Sequence, residues 1–156
     1  MNREIKFRGK DVELNIWCYG DLLQHNDGDI CIGEHDKYWT DDGFHSYTYR
    51  RTTHVDEDTV GQYTGLKDKN GVEIYEGDII RSEVLALRNG EYMPCYHIYE
   101  VVWSKADCGY SMMEWKRIVS GKEKQLMGCL YMLADAEDCE VIGNVHDNPE
   151  LIGRTK

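Results

Sequence analysis

The residues best suited to chemistry in this sequence lie in one polar segment, residues 35–45 (HDKYWTDDGFH). Imidazole and carboxylate groups bind divalent metals, and a neighbouring acid and base can transfer a proton. The spacing of these groups matches no ligand template, and acidic loops are common in a chain this acidic. The segment therefore predicts a solvated loop, with a metal-dependent enzyme as the alternative. The groups concerned are His35, Asp36, Asp41, Asp42 and His45.

Cysteine supplies a second set of reactive groups, but its spacing does not indicate a metal site. The chain contains no C-x-x-C pair, so the motifs of zinc ribbons, ferredoxins and thioredoxins are missing. Cys95 and His97 stand two residues apart without a second pair at ligand spacing. We therefore predict buried thiols, no metal and no cofactor. The cysteines are Cys18, Cys31, Cys95, Cys108, Cys129 and Cys139.

The sequence motifs of common enzyme classes are also missing. There is no G-x-S-x-G, Walker loop, G-x-G-x-x-G or H-E-x-x-H. The segment DKNG (68–71) invites comparison with a calcium loop, but that alignment places Leu66 and Gly77 where oxygen ligands are required. No catalytic residue is predicted, and an enzyme is the less favoured interpretation.

Aromatic residues lie in or beside the polar segment and suggest a binding surface. Trp39, Phe44, Tyr47 and Tyr49 stand among polar neighbours. Exposed aromatic side chains favour a protein interface because they bring a large contact area at a small entropic cost. The alternative is that they cover the core of a small β subdomain.

Composition and charge exclude some classes of partner. The chain has 156 residues and a net charge of −11. Such a charge argues against passive binding to nucleic acid phosphates or to an anionic membrane. No apolar run approaches the roughly 20 residues that span a bilayer, and the first residues, MNREIKFRGK, contain no apolar signal core. We expect a cytoplasmic protein, whose reducing environment keeps its thiols free.

The elements that must position these groups are mostly strands. Glycine (15) and tyrosine (11) are abundant, proline is rare (2), and short apolar runs alternate with polar residues. The pattern predicts a mainly β fold, or a β-rich α+β fold at most. Residues 125–134 fit either a short helix or a strand, and Asn148-Pro149 predicts a capped helical turn. The predicted strands are 4–8, 16–24, 29–34, 46–50, 59–63, 72–75, 79–87, 96–103, 110–119 and 140–145.

Two turns carry a specific conformational prediction. Asn70-Gly71 between short apolar runs is a strong hairpin signal, and we expect a positive φ at Gly71. Lys69 beside it is expected to point into solvent. Gly77 and Asp78 precede the apolar run 79–87 and indicate a second turn.

Several of these segments together resemble a known family. Residues 63–81 (YTGLKDKNGVEIYEGDIIR) and 139–151 (CEVIGNVHDNPEL) resemble the hallmark segments of the YopX family of phage and prophage proteins. The opening REIKFRGK (3–10) and WCYGDLL (17–23) are similar to the N-terminal pattern of that family. The resemblance implies a β-rich protein encoded by a phage or prophage and acting in the bacterial host cell. It carries over no catalytic residue.

The resemblance also suggests an architecture. Glu76-Gly77-Asp78 looks like the lead-in to the first strand of an SH3-like barrel. We expect an N-terminal β subdomain (1–62) and a C-terminal SH3-like barrel (63–156), with one integrated domain as the alternative. The expected barrel core is Ile79, Val101, Trp103, Val141 and Val145.

Three functions from different classes remain open at this point. The first is a non-catalytic module that binds a host or phage protein, or a second copy of itself, through aromatics and exposed strand edges. The second is an acidic inhibitor or DNA mimic of a host nucleic-acid-binding protein. The third is the metal-dependent enzyme that uses residues 35–45. None of these functions requires direct nonspecific binding to nucleic acid or to a membrane.

Overall fold

The structure is a computed structural model that describes residues 4–26, 28–39, 45–88, 90–119, 121–133 and 138–154. Strands dominate these ranges, so the predicted mainly β class is confirmed. None of the helical segments in them has the length and apolar character to cross a membrane. The strands are β1 (Phe7–Asp11), β2 (Trp17–Gln24), β3 (Ile30–Trp39), β4 (His45–Lys67), β5 (Glu73–Tyr75), β6 (Asp78–Arg88), β7 (Glu91–Ser104), β8 (Gly109–Val119), β9 (Lys122–Met132) and β10 (Glu140–Asn144).

The chain divides into two compact units, and the first is Met1–Tyr63. In this unit β1 pairs with β2, β2 with β3, and β3 with β4, all antiparallel. β4 also pairs with β1 in antiparallel orientation, so the last strand of this series is hydrogen-bonded to the first. Its buried apolar side chains are Cys31, Ile32, Val55 and Tyr63.

The prediction of a loop over residues 35–45 is wrong for the part of it that the structure describes. β3 continues to Trp39 and β4 begins at His45, and the two strands pair along their length from Cys31↔His54 to Trp39↔His45. The cross-strand ladder satisfies the backbone groups of a segment that has no apolar alternation, so pairing overrides the local pattern. Likewise, the predicted strands 46–50 and 59–63 both belong to β4.

The second unit, Thr64–Lys156, contains the other sheet. Five antiparallel strands follow the order β10-β6-β7-β8-β9, and β5 pairs with the end of β4. Residues 125–134, which the sequence left open, lie mostly in β9 and pair with β8. Within the described ranges the edge strands β10 and β9 do not pair with each other. The SH3-like barrel therefore stays a prediction.

Two apolar clusters pack against this sheet. Of the predicted core, Ile79 and Val101 are fully buried, and Val141 and Val145 pack against the clusters from partly buried positions. Trp103 was wrongly assigned to the core, because it is 48% exposed and contacts the edge of the Tyr110 ring near the end of β7. The clusters comprise Ile74, Ile80, Tyr99, Val101, Met112, Leu133 and Cys139 on one side and Ile79, Ile98 and Ile152 on the other.

The C-terminal segment ends in a 3₁₀ helix, Pro149–Ile152. Asn148 occupies the N-cap position, as predicted, but its side chain makes no capping hydrogen bond. That side chain lies against Gly143, where a Cβ would come within 2.6 Å of its Oδ1. The helix places Ile152 in the second apolar cluster.

Candidate functional site

The aromatic residues that the sequence proposed as an interface belong to the hairpin of β3 and β4. Trp39 pairs with His45 and Tyr47 pairs with Lys37, while Phe44 lies outside the described residues. Tyr49 is 43% exposed, and its ring lies over Gly33, where a Cβ would come within 2.6 Å of a ring carbon. Of this set, Tyr49 is the residue whose exposure the structure describes.

The residues predicted to form the first turn connect β4 to β5. Gly71 has a φ of 83°. The Asn70 backbone N–H donates to Oδ1 of Asp68 (2.8 Å), and the Asp68 N–H donates to the Val72 carbonyl (2.8 Å). Lys69 is partly exposed, but it also forms an ion pair, with its Nζ 3.0 Å from Oε2 of Glu140.

Asp68 ties this turn to β10. Its second oxygen, Oδ2, accepts a hydrogen bond from the Val141 backbone N–H (3.0 Å), and Oδ1 also accepts one from Val72 (2.9 Å). Burial disfavours the charged carboxylate, but the N–H donors of Val141, Val72 and Asn70 outweigh it and hold the pKa of Asp68 below its ordinary value. The segment with the strongest family resemblance therefore has a structural role.

The second predicted turn has the same character. Gly77 has a φ of 81°, and its backbone N–H donates to the Val101 carbonyl (2.8 Å). Asp78 is 2% exposed, and its Oδ2 accepts a hydrogen bond from the Tyr75 backbone N–H (2.7 Å). These contacts join β5 to β6.

A surface that the sequence did not identify lies on the hairpin of β6 and β7. β10 pairs with β6 at residues 78–81, and β8 pairs with β7 from Cys95 onward. Within the described pairings, the outer part of the hairpin is therefore two strands wide, with an edge free on each side. We call residues 84–88 and 90–94 the hairpin arm.

One face of the hairpin arm is apolar and exposed. Leu85 pairs with Pro94 and Leu87 pairs with Tyr92, so the four side chains share a face of the two-stranded ribbon. Leu85, Leu87 and Tyr92 are 67%, 63% and 71% exposed, and Pro94 is also exposed. Exposed apolar clusters of this kind mark binding surfaces on soluble proteins.

A buried polar cluster, also unforeseen, lies at the base of the hairpin arm. Glu114 on β8 is fully buried, and Nδ1 of His97 lies 2.5 Å from its Oε1. Arg117 donates to both oxygens of Glu114 (3.2 and 3.1 Å), and the Tyr131 hydroxyl donates to Oε2 (3.2 Å). On the other side of the imidazole, Nε2 lies 3.4 Å from Sγ of Cys95. We call these five residues the Glu114 cluster.

A β-bulge assembles the Glu114 cluster. His97 pairs with Arg117, and Tyr99 pairs with Glu114. His97 and Tyr99 are two residues apart on β7, whereas their partners are three residues apart on β8. The extra residue is Trp115, so Glu114 and Arg117 emerge on one face instead of opposite faces. The opposite face takes Trp115, whose indole N–H donates to Oε2 of Glu100 (2.8 Å).

A groove of about 590 Å³ lies beside the Glu114 cluster. Tyr99 is stacked on His97 and meets Tyr131 edge-on, with ring centroids 6.0 and 5.8 Å apart. Burial, then the charge of Glu114, raises the pKa of the Tyr99 hydroxyl, so it stays neutral. The groove is lined by Ser82, Glu83, Val84, Tyr99, Met112, Tyr131, Met132, Asp138 and Cys139.

The sequence indicated only the Cys95–His97 part of the Glu114 cluster. Cys95 and His97 are two apart, which on a strand places both on one face. Glu114 could not be added, since its face depends on the bulge. Among the described residues, no group of three or more His, Cys, Asp or Glu side chains is arranged to hold a metal ion. The side chains of residues 35–45, the alternative metal site of the sequence analysis, lie outside that part of the structure.

Comparison with known proteins identifies the family but not an activity. No curated protein matches the chain. The crystal structure of protein EF1440 from Enterococcus faecalis is similar in fold, with a TM-score of 0.56, 23% sequence identity, and coverage of 97% of this chain and 99% of that one. Residues 6–153 match the family described as YopX protein. The predicted resemblance is confirmed: the chain belongs to the YopX protein family.

Proposed function

We propose that this protein is a non-catalytic interaction module that binds another protein through the hairpin arm. The observation that carries the proposal is the exposed apolar face formed by Leu85, Leu87, Tyr92 and Pro94. A monomer gains nothing from leaving three large apolar side chains more than 60% exposed on one ribbon face. A partner that covers them gains roughly 25 cal/mol for each Å² of apolar area removed from water.

The pairing of the arm supports the same conclusion. A two-stranded ribbon in water is marginally stable unless a further strand or a packed surface supports it. The arm offers both, because its edges can accept a strand and its apolar face can be covered. Tyr92 at 71% exposure is the expected anchor, since tyrosine is enriched among the residues that dominate binding energy.

Site-specific photo-crosslinking in the bacterial host tests this function. A photoreactive phenylalanine analogue replaces Tyr92 in one variant and Tyr49 in another, which compares the arm with the aromatic surface predicted from the sequence. Tyr19, 42% exposed, is the matched control in the first unit. We expect a discrete crosslinked protein from position 92 that positions 49 and 19 do not give.

A second variant shows whether the apolar face is the cause. Leu85→Lys and Leu87→Lys, introduced together with the crosslinker at position 92, should abolish the product. These positions are exposed, so their effect on the free energy of unfolding is expected to stay near 0.5 kcal/mol each. A crosslink that survives both lysines, or one that appears at position 49 and not at 92, contradicts the proposal.

A further inference from the structure

We propose that Cys95 is a thiol-modification site, which undergoes thiol–disulfide exchange with small cationic disulfides. His97 acts as the proton acceptor and Glu114 as the residue that positions it. This inference is independent of the apolar face of the hairpin arm and of protein binding. It depends on the geometry of the Glu114 cluster and of the groove beside it.

The hydrogen bonds of Glu114 determine which nitrogen of His97 carries a proton. Arg117 donates two hydrogen bonds to the Glu114 carboxylate, so that carboxylate acts as an acceptor. The His97 Nδ1, 2.5 Å from the same carboxylate, must therefore be the protonated nitrogen. The lone pair of Nε2 then points to Sγ of Cys95 at 3.4 Å and can take the thiol proton.

The charges of the cluster allow the proton to move without leaving an unbalanced charge in the interior. Before transfer, Glu114 and Arg117 form a compensated pair, 3.1 Å apart. After transfer, thiolate, imidazolium, carboxylate and guanidinium alternate in sign along the chain of contacts. A buried ion pair is tolerated where its partners and hydrogen bonds are present. Tyr131 contributes one further donor to the carboxylate.

Backbone geometry selects exchange with a disulfide over acyl transfer. Cys95 lies within β7 and pairs with Val84 on β6 and Val119 on β8, so its own backbone groups belong to the sheet. Acyl transfer requires donors aimed at a developing oxyanion. Thiol–disulfide exchange requires an activated thiol and a proton for the leaving group, and both are present.

The groove passes next to this thiol and indicates the charge of the reagent. Val84 and Ser82 pair with Cys95 and His97, and both line the groove. Cys95 itself is 3% exposed, so the reagent must reach it past Val84, which is 44% exposed. The acidic residues Glu83 and Asp138 are also among those that line the groove. These charges favour a cationic disulfide over an anionic one.

In the exchange, one sulfur–sulfur bond replaces another. Sγ of Cys95 attacks one sulfur of the disulfide, a new Sγ–S bond forms, and the original S–S bond breaks. The thiol proton passes to Nε2 of His97 and then to the departing thiolate. Cys95 is oxidised to a mixed disulfide, and the other half of the reagent is reduced to a thiol.

The test treats the full-length protein with cystamine and measures the modification of each cysteine by peptide mass spectrometry over time. Exposed Cys108 is the internal reference, and Cys31, 2% exposed and outside the groove, reports thiols that react only through local opening. We expect Cys95 to react at least about tenfold faster than either, which is the order of effect of an adjacent base. Oxidised glutathione, which is anionic, should react more slowly at Cys95.

The direction of the change in variants separates activation from folding. His97→Gln and Glu114→Gln should lower the rate at Cys95 about tenfold or more, whereas a merely loosened structure would expose this thiol and raise the rate. Imidazole added to His97→Ala should restore part of the rate. Tyr96→Phe, on the opposite face of β7 and outside the Glu114 cluster, should leave the rate unchanged. Reaction of Cys95 no faster than that of Cys31, or a rate that His97→Gln does not lower, overturns the proposal.

Discussion

Two residues, Gly71 and Asp68, determine the conformation and the stability of the turn before β5. Gly71 has a φ of 83°, which side chains with a β-carbon adopt at a cost, and a Cβ at this position would meet no neighbouring atom. The cost of a substitution is therefore one of backbone conformation alone. Asp68, by contrast, stabilises the turn through hydrogen bonds to three backbone N–H groups.

Replacing Gly71 should destabilise the protein more than removing the neighbouring charge. Gly71→Val forces a β-branched residue into the left-handed region at roughly 1–2 kcal/mol, which lowers Tm by about 2–8 °C for a chain of 156 residues. Lys69→Ala removes the ion pair with Glu140, a half-exposed contact worth about 0–1 kcal/mol. Gly71→Asn, which tolerates this φ, is the matched control. Equal thermal melting of the valine and asparagine variants would contradict this account of the turn.

Asp68 should make stability depend on acid pH. Because its pKa is lower in the folded state than the ordinary 3.8, its contribution is complete above that value and is lost as pH falls through the folded pKa. Asp68→Asn leaves a single acceptor oxygen for three donors and should cost roughly 1–3 kcal/mol at neutral pH. Urea denaturation at neutral and at acid pH measures both effects. The difference between wild type and variant should shrink at acid pH, and a constant difference would exclude this linkage.

At the scale of elements, a short 3₁₀ helix seals one face of the second sheet. Pro149–Ile152 places Ile152, 1% exposed, against Ile79 and Ile98. The bulge in β8 shapes the same face, since it turns Trp115 toward Glu100, whose carboxylate also accepts from Arg154 (2.9 Å). Closure of this face is therefore a property of the C-terminal segment as well as of the strands.

Truncating Ile152 should measure the contribution of this closure. Ile152→Ala leaves a cavity against the sheet and should lower the free energy of unfolding by about 2–5 kcal/mol. Glu150→Ala, two residues earlier in the same helix and exposed, should change it by no more than about 0.5 kcal/mol. Chemical denaturation of both variants gives the comparison. If they differ little, the helix does not close the core as described.

At the scale of the whole molecule, the net charge of −11 sets the long-range behaviour of the protein. A field of this sign repels phosphate backbones and attracts basic proteins. The acidic inhibitor or DNA mimic therefore remains a proposal beside the interaction module. Salt distinguishes the two, since binding through the apolar hairpin arm should persist where electrostatic binding weakens.

The charge predicts no tight nonspecific binding to duplex DNA. At physiological salt, micromolar protein should leave the mobility of a duplex fragment unchanged in a gel-shift assay, because the net charge of −11 opposes the approach of the phosphates. A basic DNA-binding domain on the same fragment is the positive control. A clear shift by this protein would show that the charge distribution, not the net charge, governs its encounters.

The sequence by itself determined the mainly β class and the family, because alternation, turn residues and family segments are local patterns. The buried positions of Ile79 and Val101 followed from the same patterns. The tertiary structure alone decided what depends on pairing between distant residues: the strand at 35–39, the exposure of Trp103 and the free edges of the hairpin arm. The bulge that brings Glu114 to His97 belongs to this second group. A single extra residue reverses the face of every side chain beyond it, and only the partner strand determines where that residue is placed.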